Sequence, residues 1–225
     1  MNIRSLARTA VAFDLSYSLT EANTERRALI GWYTKTAPLL ELAQTALDWG
    51  MPKAMVNSWM DQAQESEGVG VTVNQDLSSL RLYTHKRDGL APEQAGEIVF
   101  SGFKCLPNGS VRLDEYQNCG DLSEPSNLAF ASANSQHPLW LEQILSLAPD
   151  HIPLMFSRIT NSGRQSWLAT VRHANIDAGL VIGPAYTGRK LLHVAGGIDA
   201  TKGAFDSFYI ASSPSEVVRF IKYNV

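Results

Sequence analysis

Cysteine is scarce in this chain of 225 residues: Cys105 and Cys119 are the only two, too few for the disulfide frameworks of small secreted domains. No stretch of eighteen apolar residues occurs, so no helix is expected to span a membrane. Positive charge is not in excess either. Nineteen Lys and Arg against 22 Asp and Glu leave a net −3, which removes the electrostatic drive toward a nucleic acid backbone. The opening MNIRSLARTAVAFDLSYS has only a short apolar patch before Asp14, a poor secretory signal, and the expected setting is the reducing cytoplasm. Asn108-Gly109-Ser110 fits a glycosylation acceptor but reads, in that setting, as a turn.

Several chemical motifs are missing as well. His85, His137, His151, His173 and His193 stand apart, with no carboxylate at helical spacing, so no metal site ligated by protein is expected and no cofactor is identified. There is no G-x-S-x-G elbow. A Cys-His nucleophile pair from Cys105 has no support from spacing. GPAYTGRK at 183–190 looks superficially like a phosphate loop, but strand-like LLHV follows where such a loop needs a helix N-terminus. What remains is 44% hydrophobic and 18% charged. That composition fits a soluble globular chain, here read as one domain over 1–225 with possible half-repeats 1–120 and 126–225.

Helical signals concentrate in the first forty per cent. Thr20 or Asn23 can cap a helix through Arg26, Leu29, Ile30, Trp32 and Tyr33; Pro38 opens a second ending at Gly50, and Pro52 a third closed by Gly68. The Trp- and Met-rich stripe of the third, with Met55, Trp59 and Met60, reads first as packing. From Val69 the period becomes two. VGVTVNQDLSSLRLYTHKR gives two strands around a polar turn, and EIVFSGFKCLPNGSVRLDEYQN gives a hairpin. Residues 118–136 read as a polar connection, and Pro138 starts a short helix, PLWLEQILSLA. Strand-like runs then return in IPLMFSRIT, QSWLATVRH, AGLVIGPAY, LLHVAGGI and AFDSFYIAS, and Ser213-Pro214-Ser215-Glu216 is a capping box for a final helix. Nine or ten strands with four or five bunched helices imply an α+β fold on a largely antiparallel sheet or barrel.

Read as a two-residue turn, Asn108-Gly109 pairs Cys105 with Arg112, Lys104 with Leu113 and Phe103 with Asp114. Cys119 then lies opposite Ile98, seven pairs from Cys105, so the two thiols cannot bridge. In that register Ile98, Phe100, Leu106, Val111 and Leu113 form the apolar face; Arg112, Asp114 and Tyr116 lie on the other, with Val99, Ser101 and Phe103.

The polar row of this hairpin has two readings. It is either a solvated sheet face, or a site in which Arg and Tyr donors meet an anion while aromatic bodies exclude water. The same row recurs: Arg81, Tyr83 and His85 share one face of SLRLYTH, Arg172 stands in SWLATVRH, and Tyr209 lies in AFDSFYIA. If these faces converge on a curved sheet, they line a positively charged pocket walled by aromatics.

VGVTVNQDLSSLRLYTHKRD resembles the segment of antiparallel-barrel aromatic prenyltransferases in which a polar turn leads into an Arg/Lys-x-Tyr strand, and LLHVAGGIDATKGAFDSFYIA has a similar cadence ending in Tyr209. The resemblance spans some forty residues of the 225. It implies a barrel of about ten strands around a lumen where basic and tyrosine side chains hold a prenyl diphosphate. It assigns diphosphate contacts to Arg81 and Tyr83 and makes Tyr209 the late tyrosine. The chain departs from the family in being shorter, and in having almost no helix between the strand pairs of 69–118.

The strand reading extends the binding set to Lys104, Arg112, Tyr116 and Arg172, with Asp114 or Glu115 as acid or base. The expected function is binding, and transformation, of a small anionic, partly aromatic or isoprenoid molecule, by a transferase needing no protein-ligated metal. The expected partner is that small molecule, without nucleic acid or membrane, and with a homo-oligomer left open. The alternative is a non-catalytic ligand-binding or assembly protein that presents its Trp/Met-rich helices to a partner.

Overall fold

The computed structural model describes residues 3–18, 25–74, 79–86, 96–106, 108–120, 124–134, 154–159, 165–170, 191–197 and 207–223. Among these residues are ten strands: β1 (Ala12–Ser18), β2 (Glu25–Tyr33), β3 (Gly68–Asn74), β4 (Leu80–His85), β5 (Ile98–Cys105), β6 (Val111–Asn118), β7 (Leu154–Ile159), β8 (Gln165–Thr170), β9 (Leu191–Gly197) and β10 (Ser207–Ala211). Each strand pairs antiparallel with its neighbours in sequence, and β1 pairs with β10, which closes the sheet into a barrel. Among the ten described strands, closure leaves no edge open for pairing with another chain. The described helices are α1 (Ile3–Leu6), α2 (Leu39–Asp48), α3 (Lys53–Gln64), α4 (Pro125–Asn134) and α5 (Pro214–Tyr223). None of them is long and apolar enough to cross a membrane. The chain is therefore α+β on an antiparallel sheet, as its alternation of periods implies.

Side chains alternate across the barrel wall. Ala28, Ile30 and Trp32 of β2, Val69, Val71 and Val73 of β3, Leu80 and Leu82 of β4, and Phe103 and Cys105 of β5 are all buried on one face. They form one apolar cluster with Leu42 and Ala46 of α2, Val56, Trp59 and Ala63 of α3, and Val217, Phe220 and Ile221 of α5. Helix α3 packs on β4, and α5 packs on β1 and β2. The helices thus cover the outside of the wall, and the opposite face turns into the lumen. Trp59 ties the layers together: its indole Nε1 donates a 3.1 Å hydrogen bond to the Tyr83 carbonyl of β4. At the C-terminus the capping box forms, with Ser213 N donating to Glu216 Oε2 at 2.9 Å and Glu216 N donating back to Ser213 Oγ at 3.3 Å.

Three sequence expectations are corrected. The helix expected through residues 26–33 is strand β2, hydrogen-bonded to β1 and β3. The run Ala28-Leu29-Ile30-Gly31-Trp32 satisfies a period of two as well as a helical one, and pairing on both sides decides between them. Helix α4 occupies part of the stretch read as a polar connection. The β5–β6 hairpin is one residue out of the expected register: Cys105 pairs with Val111, Lys104 with Arg112 and Gly102 with Asp114. Leu106 N bonds to Ser110 O, with Gly109 at φ 74°, so three residues separate the closing pair instead of two. A single left-handed glycine of this kind belongs to a three-residue loop. The slip turns Phe103 outward and Lys104 and Phe100 inward.

Both thiols are free, as expected, and both are buried. The helix expected from Pro138 and the strand expected in AGLVIGPAY lie outside the described residues. Trp59 is fully buried and Trp32 nearly so, which leaves the alternative of a Trp-presenting helical surface without its central residue. Trp59→Ala is expected to cost about 3–5 kcal/mol, read as a lower denaturation midpoint, while the folded fraction keeps its elution volume on size exclusion.

Candidate functional site

The lumen face of β3 to β6 is laid out in three cross-strand rows. Thr72, Arg81, Lys104 and Arg112 stand side by side in the first; Gly70, Tyr83, Gly102 and Asp114 in the second. His85, Phe100 and Tyr116 form the third. Arg27 of β2 and Asp14 of β1 lie on the same face. The pattern follows from alternation alone. Every second residue of the segments RLYTH and RLDEY points inward, and those residues are Arg, Tyr and His, or Arg, Asp and Tyr.

Asp114 is the hub. Its Oδ2 lies 2.8 Å from Arg81 Nη2 and accepts a 3.0 Å hydrogen bond from Arg112 Nη2. Its Oδ1 forms a 2.8 Å ion pair with Arg112 Nε, at an angle outside hydrogen-bond geometry. The other arm of Arg81, Nη1, donates to Tyr83 Oη at 2.9 Å and to Tyr116 Oη at 3.2 Å. Both tyrosines accept from the guanidinium, so each keeps its own hydroxyl proton to donate elsewhere. His85 stacks on Phe100 with ring centres 4.0 Å apart, and Phe100 meets Tyr116 edge-on at 6.3 Å. A polar patch and an aromatic wall thus share the residue Tyr116.

Among the described residues three guanidinium groups, Arg81, Arg112 and Arg27, act on Lys104, and the carboxylate of Asp114 acts on both Lys104 and Arg81. Burial works against the charge on Arg81, and Tyr83, Tyr116 and Asp114 outweigh it, so the guanidinium stays protonated. Lys104 is lowered to about 8 by its own burial and then by Arg81, Arg112 and Arg27, against which Asp114 pulls. Crowded cations of this kind are what a multiply charged anion relieves. Across the lumen wall, burial raises Asp14 to about 7, opposed by Arg27. Among the described residues no group of three or more His, Cys, Asp or Glu is placed to hold a metal ion.

Of the residues singled out from the sequence, Arg81, Tyr83, Lys104, Arg112, Asp114 and Tyr116 come together on one face. Glu115 does not. It pairs with Ser101 and Arg158 on the outward side, because neighbours in a strand face opposite ways. Asp114 is engaged by two guanidinium groups, which makes it their anchor. Arg172 lies outside the described residues, as does the side chain of Tyr209, whose backbone pairs with Ser16 and His193. Asp14 and Arg27 were not legible as site residues. Arg27 was hidden by the helical reading of its strand, and the alternation Phe13-Asp14-Leu15-Ser16 was the available signal for Asp14.

No family model matches this sequence, and no curated protein matches it. The fold has a counterpart among solved structures. The crystal structure of 5-dimethylallyltryptophan synthase from Streptomyces coelicolor superposes with a TM-score of 0.56 over 90% of this chain and 81% of that one, at 14% identity. The two share a fold.

The buried carboxyl of Asp14 yields a stability prediction. Its folded value, about 7, lies above the ordinary 3.8, so between those pH values the folded protein holds a proton that the unfolded chain has released. Stability therefore falls as pH rises through that window and the penalty is constant above it. Asp14→Asn should raise the Tm at pH 8 by at least about 3 °C, a gain that shrinks toward zero near pH 4. An equal shift at both pH values would contradict this reading of Asp14.

Proposed function

We propose that this protein transfers a prenyl group from an allylic diphosphate to an aromatic small molecule inside the barrel. The observation that carries the proposal is the cluster of Arg81, Lys104 and Arg112 around Asp114 on the lumen face, flanked by an aromatic wall. The likeness in fold to a dimethylallyltryptophan synthase supports the same reading.

The chemistry asked of these residues is specific. The allylic C–O bond breaks, and the diphosphate leaves with the electron pair. Lys104, Arg112 and the hydroxyl protons of Tyr83 and Tyr116 neutralise the charge that develops on it, in a site where burial strengthens each contact. Phe100, Tyr116 and the stacked His85 face the allylic cation with π-electron density and keep water from it. An aromatic carbon of the acceptor then forms the new C–C bond, and its proton is lost to a base. Asp14, with its value near 7, is suited to accept that proton at neutral pH.

Mass spectrometry of dimethylallyl diphosphate incubated with indole-bearing acceptors should show addition of one dimethylallyl unit and release of diphosphate. Inorganic diphosphate should bind most tightly below pH 8, where the Lys104 ammonium is charged, and more weakly as pH rises through that value. Lys104→Met should weaken binding at pH 7 roughly 10- to 100-fold, the equivalent of one charge-assisted bond, and should flatten the pH dependence. Absence of both turnover and diphosphate binding would remove the proposal.

A further inference from the structure

Arg81 and two of the groups it grips, Asp114 and Tyr116, do not stand on neighbouring strands. Arg81 lies on β4, Asp114 and Tyr116 lie on β6, and β5 runs between. Two strand spacings amount to roughly 10 Å, so the Arg81 side chain must cross the lumen surface of β5 to reach its partners. The register fixes what lies under it. Gly102 pairs with Tyr83 on one side and with Asp114 on the other. A Cβ at position 102 would lie 3.0 Å from Arg81 Cδ and 3.1 Å from Tyr83 Cε1.

Neither neighbour is free to give way. Arg81 is held at its far end by Tyr83, Tyr116 and Asp114. Tyr83 is held by that same guanidinium, whose carbon lies 5.5 Å from the Tyr83 ring centre. The requirement is one of space and not of backbone conformation, since Gly102 is not among the glycines with positive φ.

We infer that Gly102 is a positioning residue for the anion site: the missing side chain opens the channel through which Arg81 reaches across β5 to Asp114 and Tyr116. The inference rests on the anion-binding reading given above. It assigns the residue no contact with substrate. It explains why a strand that carries Lys104 and Phe100 inward has nothing between them.

The test is a double-mutant cycle with inorganic diphosphate as the probe, read by calorimetry on the full chain. Gly102→Ala should weaken diphosphate binding about tenfold, and Gly102→Val should weaken it further. In the Arg81→Ala background, where no side chain has to cross, adding Gly102→Ala should cost nothing more. A role for Gly102 in general folding would instead produce the same loss in both backgrounds, and that result overturns the inference. So does a Gly102→Ala protein that binds as the wild type does. Should Gly102→Ala lower the Tm of the wild type, adding it to the Arg81→Ala variant must lower the Tm of that variant no further; an equal drop in both backgrounds also overturns the inference. A crystal structure of Gly102→Ala gives a readout independent of binding. The Arg81–Asp114 pair should be displaced, and finding it unchanged at 2.8 Å contradicts the inference. Wild-type protein that does not bind diphosphate would sink the anion-binding reading itself, which the structural arm distinguishes from a failure at Gly102.

Discussion

A carboxylate shared by two guanidinium groups organises the lumen of this barrel. Asp114 holds Arg81 and Arg112 at once, and almost none of its side chain reaches solvent. Burying such charges is costly, and breaking one partner away leaves the other uncompensated. The arrangement is therefore a constraint as much as a stabilising contact. It fixes where Arg81 points, and through Arg81 it fixes the hydroxyls of Tyr83 and Tyr116. Lys104, its proton affinity lowered first by its own burial and then by Arg81, Arg112 and Arg27, stands beside them with Asp114 pulling the other way. Under the proposed function, a polar interior built this way receives a ligand that brings negative charge.

The barrel supplies what this constellation needs. The outward face of β2 to β5 carries most of the apolar cluster, packed with residues of α2, α3 and α5, on the side away from the lumen. Trp59 clamps α3 to the backbone of Tyr83, one residue from Leu82 in the core and two from Arg81. Packing outside and positioning inside thus meet on the same strand. Functional groups placed on regular strands of a closed sheet are held more accurately than groups on loops.

Much of this was legible in the sequence, for a physical reason. In β4 and β6 the inward residues are Arg-x-Tyr and Arg-x-Asp-x-Tyr, while the residues between are Leu, Leu and Thr in β4 and Leu and Glu in β6. Alternation alone separates a polar row from its neighbours, so six of the residues singled out converge. Glu115 shows the limit of that reasoning, since adjacency in sequence puts it on the other side of the wall. The register of β5 against β6 was not legible, because Asn-Gly suits a two-residue turn while Leu106 and Ser110 close a longer one. That single slip hid the pairing of Lys104 with Arg112 and of Gly102 with Asp114. Strand β2 was hidden differently: its apolar residues fit a helix as readily as a strand, and only its neighbours in the sheet decide.

The central claim is that the lumen cations receive a diphosphate. Soaking crystals of the protein with inorganic diphosphate and locating the anion by diffraction tests it most directly. The account places the anion within hydrogen-bonding distance of Lys104 and Arg112, with Asp114 still paired to both guanidinium groups. Diphosphate bound only outside the barrel, or a lumen that takes up no anion at saturating concentration, would contradict it.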